Sequence, residues 1–272
     1  MIRYFDRRNN RLVYIGTASS DTFWDNIWEL EDFRKWIKEI KDPILYNNII
    51  KTTKKYLPVG SRVLEGGCGR GDIVYALQLH GYNTYGVDYA KETIKKIEQY
   101  APELKITYGD VRRLNFDSNF FDGYWSLGVI EHYYYGYDDI INEMYRVLKL
   151  GGMLFMTVPT MSWIRKFKAM IGMYPKYFES EELIEKFYQF ALDPKRVIKN
   201  FRDSGFELLG IKNIDGFYGI HNEINFFKPL LQFLVREKTL PREILIKLFE
   251  FHGNIFANHL TLYIMRKNEK PC

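Results

Sequence analysis

The sequence predicts an α/β fold built on a mostly parallel β-sheet. Strand-like and helix-like segments alternate from residue 62 to residue 158. Parallel strands joined by helices require right-handed crossovers, which place helices on both faces of the sheet. The glycine-rich run Gly66–Gly71 separates the first of these strands from the helix that follows it. Two further strand-like segments, 206–211 and 259–265, complete the sheet.

The elements before the sheet are assigned from hydrophobic periodicity and from helix start and stop signals. Residues 1–20 form an extended arm in which Arg11–Ile15 can pair as a short strand. Asp21 can cap a helix that runs to about Lys41 and whose many apolar side chains favour packing on the domain. Pro43 starts a second helix that continues to Tyr56.

The sheet region is predicted as five strands and three helices. The strands are at 62–65, 83–88, 105–108, 121–127 and 153–158, and the helices are at 71–80, 91–100 and about 137–148. Lys149–Gly152 is predicted to mark the end of the last helix, because a cation and glycines are typical there. Asp193 opens a later helix that stops at Gly205.

Composition limits the function classes. The 272 residues fit one large domain with insertions, and 46% hydrophobic residues permit a full core. The net charge of +5 is mild and does not require a nucleic-acid partner. Cys68 and Cys272 make no disulfide framework, which favours a reducing cytoplasm. The N-terminal residues lack the pattern of a secretion signal, and no apolar run approaches the about 20 residues of a membrane span.

Polar groups stand at the ends of four successive predicted strands. Glu65 precedes the glycine run, whose helix start offers free N–H groups to an anionic ligand. Asp88 ends the second strand, where an acid can hold the two hydroxyls of a ribose. Asp110 follows the third strand, and the pair Glu131-His132 follows the fourth. The order indicates a nucleotide-like ligand at the carboxyl edge of the sheet.

With these four strand ends in this order, the chain resembles the class I S-adenosylmethionine (SAM)-dependent methyltransferases. It resembles most closely their small-molecule, type 11 branch. The resemblance is strong over 43–160 and holds in outline over 178–214 and 258–266. The family pattern acid-x-Gly-x-Gly-x-Gly is met by Glu65, Gly67, Gly69 and Gly71. Gly66 departs from the branched apolar residue that is usual there.

The resemblance implies a Rossmann-like, seven-stranded, mostly parallel sheet with helices on both faces, an antiparallel last strand and helical insertions. It implies a single domain over 1–272. The expected parts are an N-terminal arm and lid helix at 1–42, a SAM-binding core at 43–160, and helical insertions near the substrate pocket at 161–177 and 215–257.

The resemblance also implies the cofactor, SAM, with S-adenosylhomocysteine as product. Glu65 and the backbone of the glycine turn would hold the methionine part, Asp88 the ribose hydroxyls, and Asp110 the adenine amino group. The implied cofactor-binding residues are Glu65, Gly67, Cys68, Gly69, Gly71, Asp88, Tyr89, Asp110, Val111, Ser126, Leu127 and Gly128. The alternative for Asp110 is a helix or turn cap. No metal site is assigned.

His132 is the candidate general base, because imidazole titrates near neutrality and follows the strand where an acceptor should meet the methyl group. Glu131 is the second candidate catalytic residue and could orient His132 or bind substrate. The alternative for His132 is a supporting histidine, or a metal ligand, without a role as base. Tyr133–Tyr135 could line the pocket or pack the loop.

The insertions leave the partners open. Segment 161–177 is basic and amphipathic, which suits either a solvated helix over the active-site mouth or contact with a membrane surface or lipid-linked substrate. The apolar stripes of 215–257, near 222–236 and 241–256, could cap the substrate pocket or form a dimer face. We expect a monomer or homodimer.

The predicted function is methyl transfer from SAM to a small-molecule acceptor, most simply at oxygen. A sugar or polysaccharide precursor, a quinone-like compound and a lipid-linked compound are the candidate acceptors. RNA or protein methylation and a non-catalytic SAM-binding protein are the alternatives, although the sequence contains no concentrated basic face. A nicotinamide dehydrogenase is disfavoured, because Gly67, Gly69 and Gly71 do not follow the Gly-x-Gly-x-x-Gly spacing.

Overall fold

The computed structural model describes residues 1–28, 46–236 and 239–270. Its strands are β1 (Ile2–Asp6), β2 (Arg11–Ile15), β3 (Arg62–Gly66), β4 (Asn83–Asp88), β5 (Ile106–Tyr108), β6 (Phe121–Leu127), β7 (Leu148–Pro159), β8 (Phe187–Ala191), β9 (Phe206–Ile214) and β10 (Leu260–Lys267). Its helices are α1 (Asp21–Ile27), α2 (Asn47–Tyr56), α3 (Asp72–Leu79), α4 (Lys91–Tyr100), α5 (Asp138–Val147), α6 (Trp163–Met170), α7 (Glu181–Glu185), α8 (Pro194–Asp203), α9 (Gly216–Glu223), α10 (Lys228–Val235) and α11 (Leu240–Phe256). Short 3-10 helices span Ile130–His132 and Asn225–Phe227.

The large sheet has seven strands in the order β5-β4-β3-β6-β7-β10-β9. The neighbours from β5 to β7 are parallel, whereas β10 is antiparallel to both β7 and β9. This confirms the predicted fold class, including the antiparallel last strand. The strand order reverses between β3 and β6. In open sheets of this kind, ligands bind beyond the carboxyl ends of the strands at such a reversal.

The core lies on both faces of this sheet, because successive residues of a strand point to opposite sides. Val63 of β3 packs into a cluster with Trp125 and Phe155, while its neighbour Leu64 packs with Tyr124 in the largest cluster. Each of these five side chains is at most 1% exposed. The central strands are therefore held rigidly, and their ends are fixed in position.

A second, three-stranded antiparallel sheet has the order β1-β2-β8. The predicted strand Arg11–Ile15 is confirmed as β2, but the sequence analysis missed both of its partners. The buried side chains of Val13 and Phe190 join the main core, so this sheet packs on the domain. The N-terminal arm is thus a structured hairpin rather than a lone extended segment.

Two predicted helix boundaries are wrong. Helix α1 is capped by Ser20, whose Oγ accepts from the Phe23 N–H at 3.1 Å, and not by Asp21. The remainder of that predicted helix, and the predicted start at Pro43, lie outside the described residues. Lys149–Gly152 does not end α5. That helix ends at Val147, and the next five residues already belong to β7, because Leu148 pairs with Phe121 of β6.

The insertions are helical, as predicted, but their details differ. Segment 161–177 contains α6, yet Arg165 is 1% exposed and is not one of the solvated cations of an amphipathic helix. The 215–257 connection begins with α9, which the sequence analysis missed. Gly216 lets α9 cross α11 closely, since a Cβ there would lie 2.2 Å from the Asn254 nitrogen. None of the described helices is both long enough and apolar enough to cross a membrane.

Candidate active site

The glycine turn after β3 forms one wall of a crevice at the reversal of strand order. Gly67 has φ +77°, a conformation that favours glycine, and a Cβ there would lie 2.5 Å from Cγ2 of Val129. The N–H groups of Gly67 and Cys68 both donate to the Val87 carbonyl, which fixes the turn against β4. At Gly67, which lines the crevice, the turn therefore presents its backbone without a side chain of its own.

Glu65, the residue before the last of β3, precedes this turn and carries an unsatisfied oxygen. Its side chain is buried, and Oε2 has no hydrogen-bond partner among the described residues. Burial, and then the nearby charges of Asp72 and Asp88, raise the pKa of Glu65 well above its ordinary value. A buried acceptor without a partner is costly, so this oxygen is suited to receive a donor or cation from a bound ligand.

Asp88, at the end of β4, holds the crevice together. Its Oδ2 accepts from the Gly69 N–H at 2.8 Å and its Oδ1 accepts from the Ala90 N–H at 2.9 Å. Burial raises its pKa despite these hydrogen bonds. Each carboxylate oxygen can accept more than one hydrogen bond, so a ribose hydroxyl can share the site with the backbone donors.

Asp110 lies further along the sheet edge and is tied to its own loop. Its Oδ1 accepts from the Arg112 N–H at 2.8 Å, and its Oδ2 pairs with the Arg112 guanidinium at 2.6 Å. Burial raises its pKa, but the contacts with Arg112 outweigh burial and the net pKa is lowered. This geometry matches the turn-cap alternative. Asp110 also lines a cavity of about 500 Å³ together with Tyr89 and Tyr133.

The other predicted cofactor residues contribute in different ways. Leu127 and Gly128 line the crevice directly. Ser126 is fully buried, and its Oγ has no partner among the described residues. Val111 is buried in the core cluster beside Val87. The Cys68 thiol is buried close to Gly86, so Cys68 can offer only its backbone to the crevice.

Two tryptophans of the N-terminal segment lie in the crevice. Trp24 and Trp28 line it beside Gly67 and Asp88, and with these rings in place the crevice has a free volume of about 50 Å³. The Trp28 ring is so close to Gly69 that a Cβ there would meet it at 2.8 Å. Pockets for cofactor-sized ligands have about 300–1,000 Å³. These indoles must therefore move before such a ligand can enter.

His132 follows β6 and faces the same crevice. Its Nδ1 lies 2.7 Å from the carbonyl oxygen of Tyr188. A carbonyl only accepts, so the hydrogen-bond network assigns the proton to Nδ1 and leaves the Nε2 lone pair free. Burial lowers the pKa of His132 to about 4, and the ring is therefore neutral at pH 7. The Trp24 ring stands edge-on at 4.9 Å.

Glu131 does not orient His132, since the Tyr188 carbonyl occupies that position. Glu131 is 1% exposed, and its Oε2 has no partner among the described residues. Burial raises its pKa to about 8, so the carboxyl group is mostly neutral at pH 7. The site thus places a neutral acid and a neutral imidazole next to each other, with opposite pKa shifts.

Tyr188 is the residue that the sequence analysis missed. It lies in β8, a strand that the sequence pattern did not reveal, and its ring centre is 5.1 Å from that of His132. Tyr133, Tyr134 and Tyr135 do line the 500 Å³ cavity. The structure therefore brings the crevice residues, His132, Glu131 and the tyrosine run together at one edge of the sheet.

Comparisons with known proteins agree with this arrangement. Residues 64–156 match the methyltransferase domain family. The chain is 26% identical over 224 residues to demethylmenaquinone methyltransferase of Staphylococcus haemolyticus. The aligned region covers 75% of this chain and 88% of that protein. It is 26% identical to the mitochondrial ubiquinone biosynthesis O-methyltransferase of Rattus norvegicus, over 52% of this chain and 44% of that protein.

Solved structures share the fold. One is phospholethanolamine N-methyltransferase 2 of Haemonchus contortus, in complex with phosphomonomethylethanolamine and S-adenosylhomocysteine. It superposes with a TM-score of 0.51 at 18% identity, over 82% of this chain and 53% of that one.

Proposed function

Because the chain is a class I SAM-dependent methyltransferase, we propose that it methylates an oxygen atom of a small-molecule acceptor. The observation that carries this proposal is the pair Glu131-His132 beside the glycine crevice. His132 lines the crevice, and Glu131 Oε1 lies behind Gly128 of its wall, where a Cβ on Gly128 would lie 3.4 Å from that oxygen. A hydroxyl nucleophile must lose its proton when it is methylated. Such a pair is therefore useful for methylation of an oxygen atom.

The crevice fits SAM through its unsatisfied groups. Glu65 Oε2 can accept from the ammonium group of the methionine part, and the open backbone at Gly67 can approach it closely. Asp88 in the crevice would then hold the ribose hydroxyls, and the cavity lined by Tyr89 and Asp110 would take the adenine. When bound, SAM supplies an electrophilic methyl group, and S-adenosylhomocysteine remains after transfer.

The pKa values of His132 and Glu131 determine which of them can accept the proton of the acceptor hydroxyl. His132 is in its accepting form at pH 7, but a pKa of about 4 makes it a weak base. Glu131, with a pKa of about 8, is the stronger base once ionised. At pH 7 it is ionised in about one molecule in ten. If Glu131 takes the proton, kcat/KM rises with pH towards 8, whereas a rate limited by His132 is flat above about pH 5.

Quinone-like and lipid-linked compounds are the acceptor classes that we favour. The relatives named above act, by their names, on demethylmenaquinone and in ubiquinone biosynthesis. Exposed Trp163, Phe226 and Leu240 of the insertions suit contact with a membrane surface. Lys166 and Lys247 lie nearby in sequence and suit anionic headgroups.

The test is transfer of a labelled methyl group from SAM to a panel of phenols, quinols and sugars. We expect a labelled ether product, and we expect His132→Gln or Glu131→Gln to lower kcat by about 10²- to 10⁴-fold. The matched control is Tyr108→Phe on β5, whose side chain is exposed and outside the two cavities described above, and whose variant should keep its rate. SAM binding without any labelled product would indicate a non-catalytic binding protein. Label in RNA or protein would indicate the alternative acceptors.

A further inference from the structure

A buried charge cluster lies between the N-terminal hairpin and the 215–257 insertion. The Glu223 carboxylate accepts hydrogen bonds from Arg3 Nη1 at 2.5 Å, Arg165 Nε at 2.9 Å and Lys168 Nζ at 2.9 Å. The Tyr174 hydroxyl donates to it at 2.7 Å. Burial alone would raise the pKa of Glu223, but Arg165 and Arg3 outweigh burial and lower it to about 2.

This cluster is not neutral. Three cationic side chains surround Glu223, and the structure describes no other carboxylate within ion-pair distance of them. The described cluster therefore holds an excess of positive charge, and Arg165 in it is 1% exposed. Positive charge in a poorly solvated place is costly unless an anion compensates it.

A cavity of about 490 Å³ adjoins the cluster. Its walls contain Arg3, Lys228 and His259 together with the tyrosines 14, 188 and 218. Lys228 is half-buried and makes no ion pair with any residue in the described ranges. The size falls within the usual range for small-molecule pockets, about 300–1,000 Å³. The lining combines cations with rings, which suits a ring compound that carries a negative charge.

His259 is held as a neutral donor in this wall. Arg165 Nη2 lies 2.8 Å from His259 Nδ1, and because a guanidinium only donates, Nδ1 must accept. The ring proton is thereby assigned to Nε2. Burial and the charge of Arg165 lower the pKa of His259 to about 3, which keeps the ring in this form at pH 7.

Tyr188 connects this cavity to the proposed reaction centre. Its side chain lines the cavity, its ring lies 5.1 Å from the His132 ring, and its carbonyl fixes His132 Nδ1. Burial raises the pKa of the Tyr188 hydroxyl. Tyr188 therefore stands between a ligand in the cavity and His132.

We propose that this cavity binds the anionic end of the methyl acceptor, a carboxylate or a phosphate, through Arg3, Lys228 and the Nε2 proton of His259. The acceptor hydroxyl is then directed past Tyr188 towards Glu131 and His132. The inference rests on the proposed function for the identity of the ligand as acceptor. The anion site itself follows from the cavity and the charge cluster alone.

The experiment measures binding without methyl transfer, so its failure is distinct from that of the proposed function. Benzoate and phenyl phosphate are titrated into the full chain by calorimetry, with benzyl alcohol as the uncharged probe. We expect at least one anion to bind at least about tenfold more tightly than benzyl alcohol, and binding to weaken with salt. The better anion identifies the carboxylate or the phosphate as the preferred group.

Lys228→Ala is the decisive variant, because Lys228 has no described partner and its loss should leave the fold intact. We expect it to weaken anion binding at least about tenfold and to leave SAM affinity unchanged. The matched control is Lys54→Ala, at an exposed lysine on α2, which should bind the anions like wild type. Equal anion affinity of the two variants, or no preference for the anions over benzyl alcohol, would overturn the proposal.

Discussion

The protonation state of Glu131 can be read from protein stability, without knowledge of the acceptor. The perturbation is Glu131→Gln, which keeps the shape of the side chain and removes its titration. Burial raises the pKa of Glu131 from 4.5 to about 8 in the folded chain. As the pH rises from 4.5 towards 8, the unfolded chain releases a proton that the folded chain keeps. The wild-type free energy of unfolding therefore falls over this range because of Glu131.

The size of the effect follows from the same two pKa values. One pKa unit corresponds to about 1.4 kcal/mol, and the unfolded carboxyl group is already mostly ionised at pH 5. Between pH 5 and pH 7, the stability of wild type relative to Glu131→Gln should fall by about 2 kcal/mol. The titrations of His132, His259 and Glu223 occur in both proteins and largely cancel in this difference.

Urea unfolding of both proteins at pH 5, 6, 7 and 8 provides the measurement. Glu98→Gln removes an exposed carboxylate on α4. It shows how the free energy of unfolding changes with pH when the lost carboxylate is not buried. A stability difference between wild type and Glu131→Gln that does not change with pH would refute the raised pKa. It would also remove Glu131 as a base that becomes active towards pH 8.

Three further outcomes are expected. Gly67→Ala should weaken SAM binding at least about tenfold by calorimetry, since the new Cβ would lie 2.5 Å from Val129 Cγ2 at a positive φ. An unchanged affinity would contradict the role of the glycine turn in SAM binding. Added SAM should change the tryptophan emission of wild type more than that of Trp28→Phe, because the indole must leave the crevice; identical responses would contradict this. Phe226→Ser should reduce co-sedimentation with anionic phosphatidylglycerol vesicles, and Val59→Ser on another exposed surface should not; no vesicle binding by wild type would exclude the membrane contact.

The sequence predicted the sheet correctly, and it pointed to the edge of the sheet where the crevice lies, because these signals are local. The glycine turn and the acids at the strand ends are short patterns, and the residues next to them in the sequence are enough to predict their structure. The Gly69 N–H of the turn donates to Asp88, and both Asp88 and His132 line the crevice. Helix α8 likewise begins after Asp193, whose side chain accepts from the Lys195 N–H.

The missed features depend on contacts between residues far apart in sequence. Arg165 looks like a solvated cation of an amphipathic helix, and only Glu223, 58 residues away, accounts for its burial. β8 is a short strand whose register is set by β2, from a distant part of the chain. The hydrogen bond from His132 to the Tyr188 carbonyl spans 56 residues. No local periodicity carries such information.

The most direct test of the account is a calorimetric titration of the full chain with SAM and with S-adenosylhomocysteine, alongside Asp88→Ala. We expect wild type to bind each ligand at one site per chain, and we expect Asp88→Ala to bind each ligand at least about tenfold more weakly. The reason is that the Asp88 carboxylate both braces the Gly69 N–H and faces the crevice. Binding of neither ligand to wild type would contradict the central claim, and unchanged affinity in Asp88→Ala would contradict the assigned ribose contact.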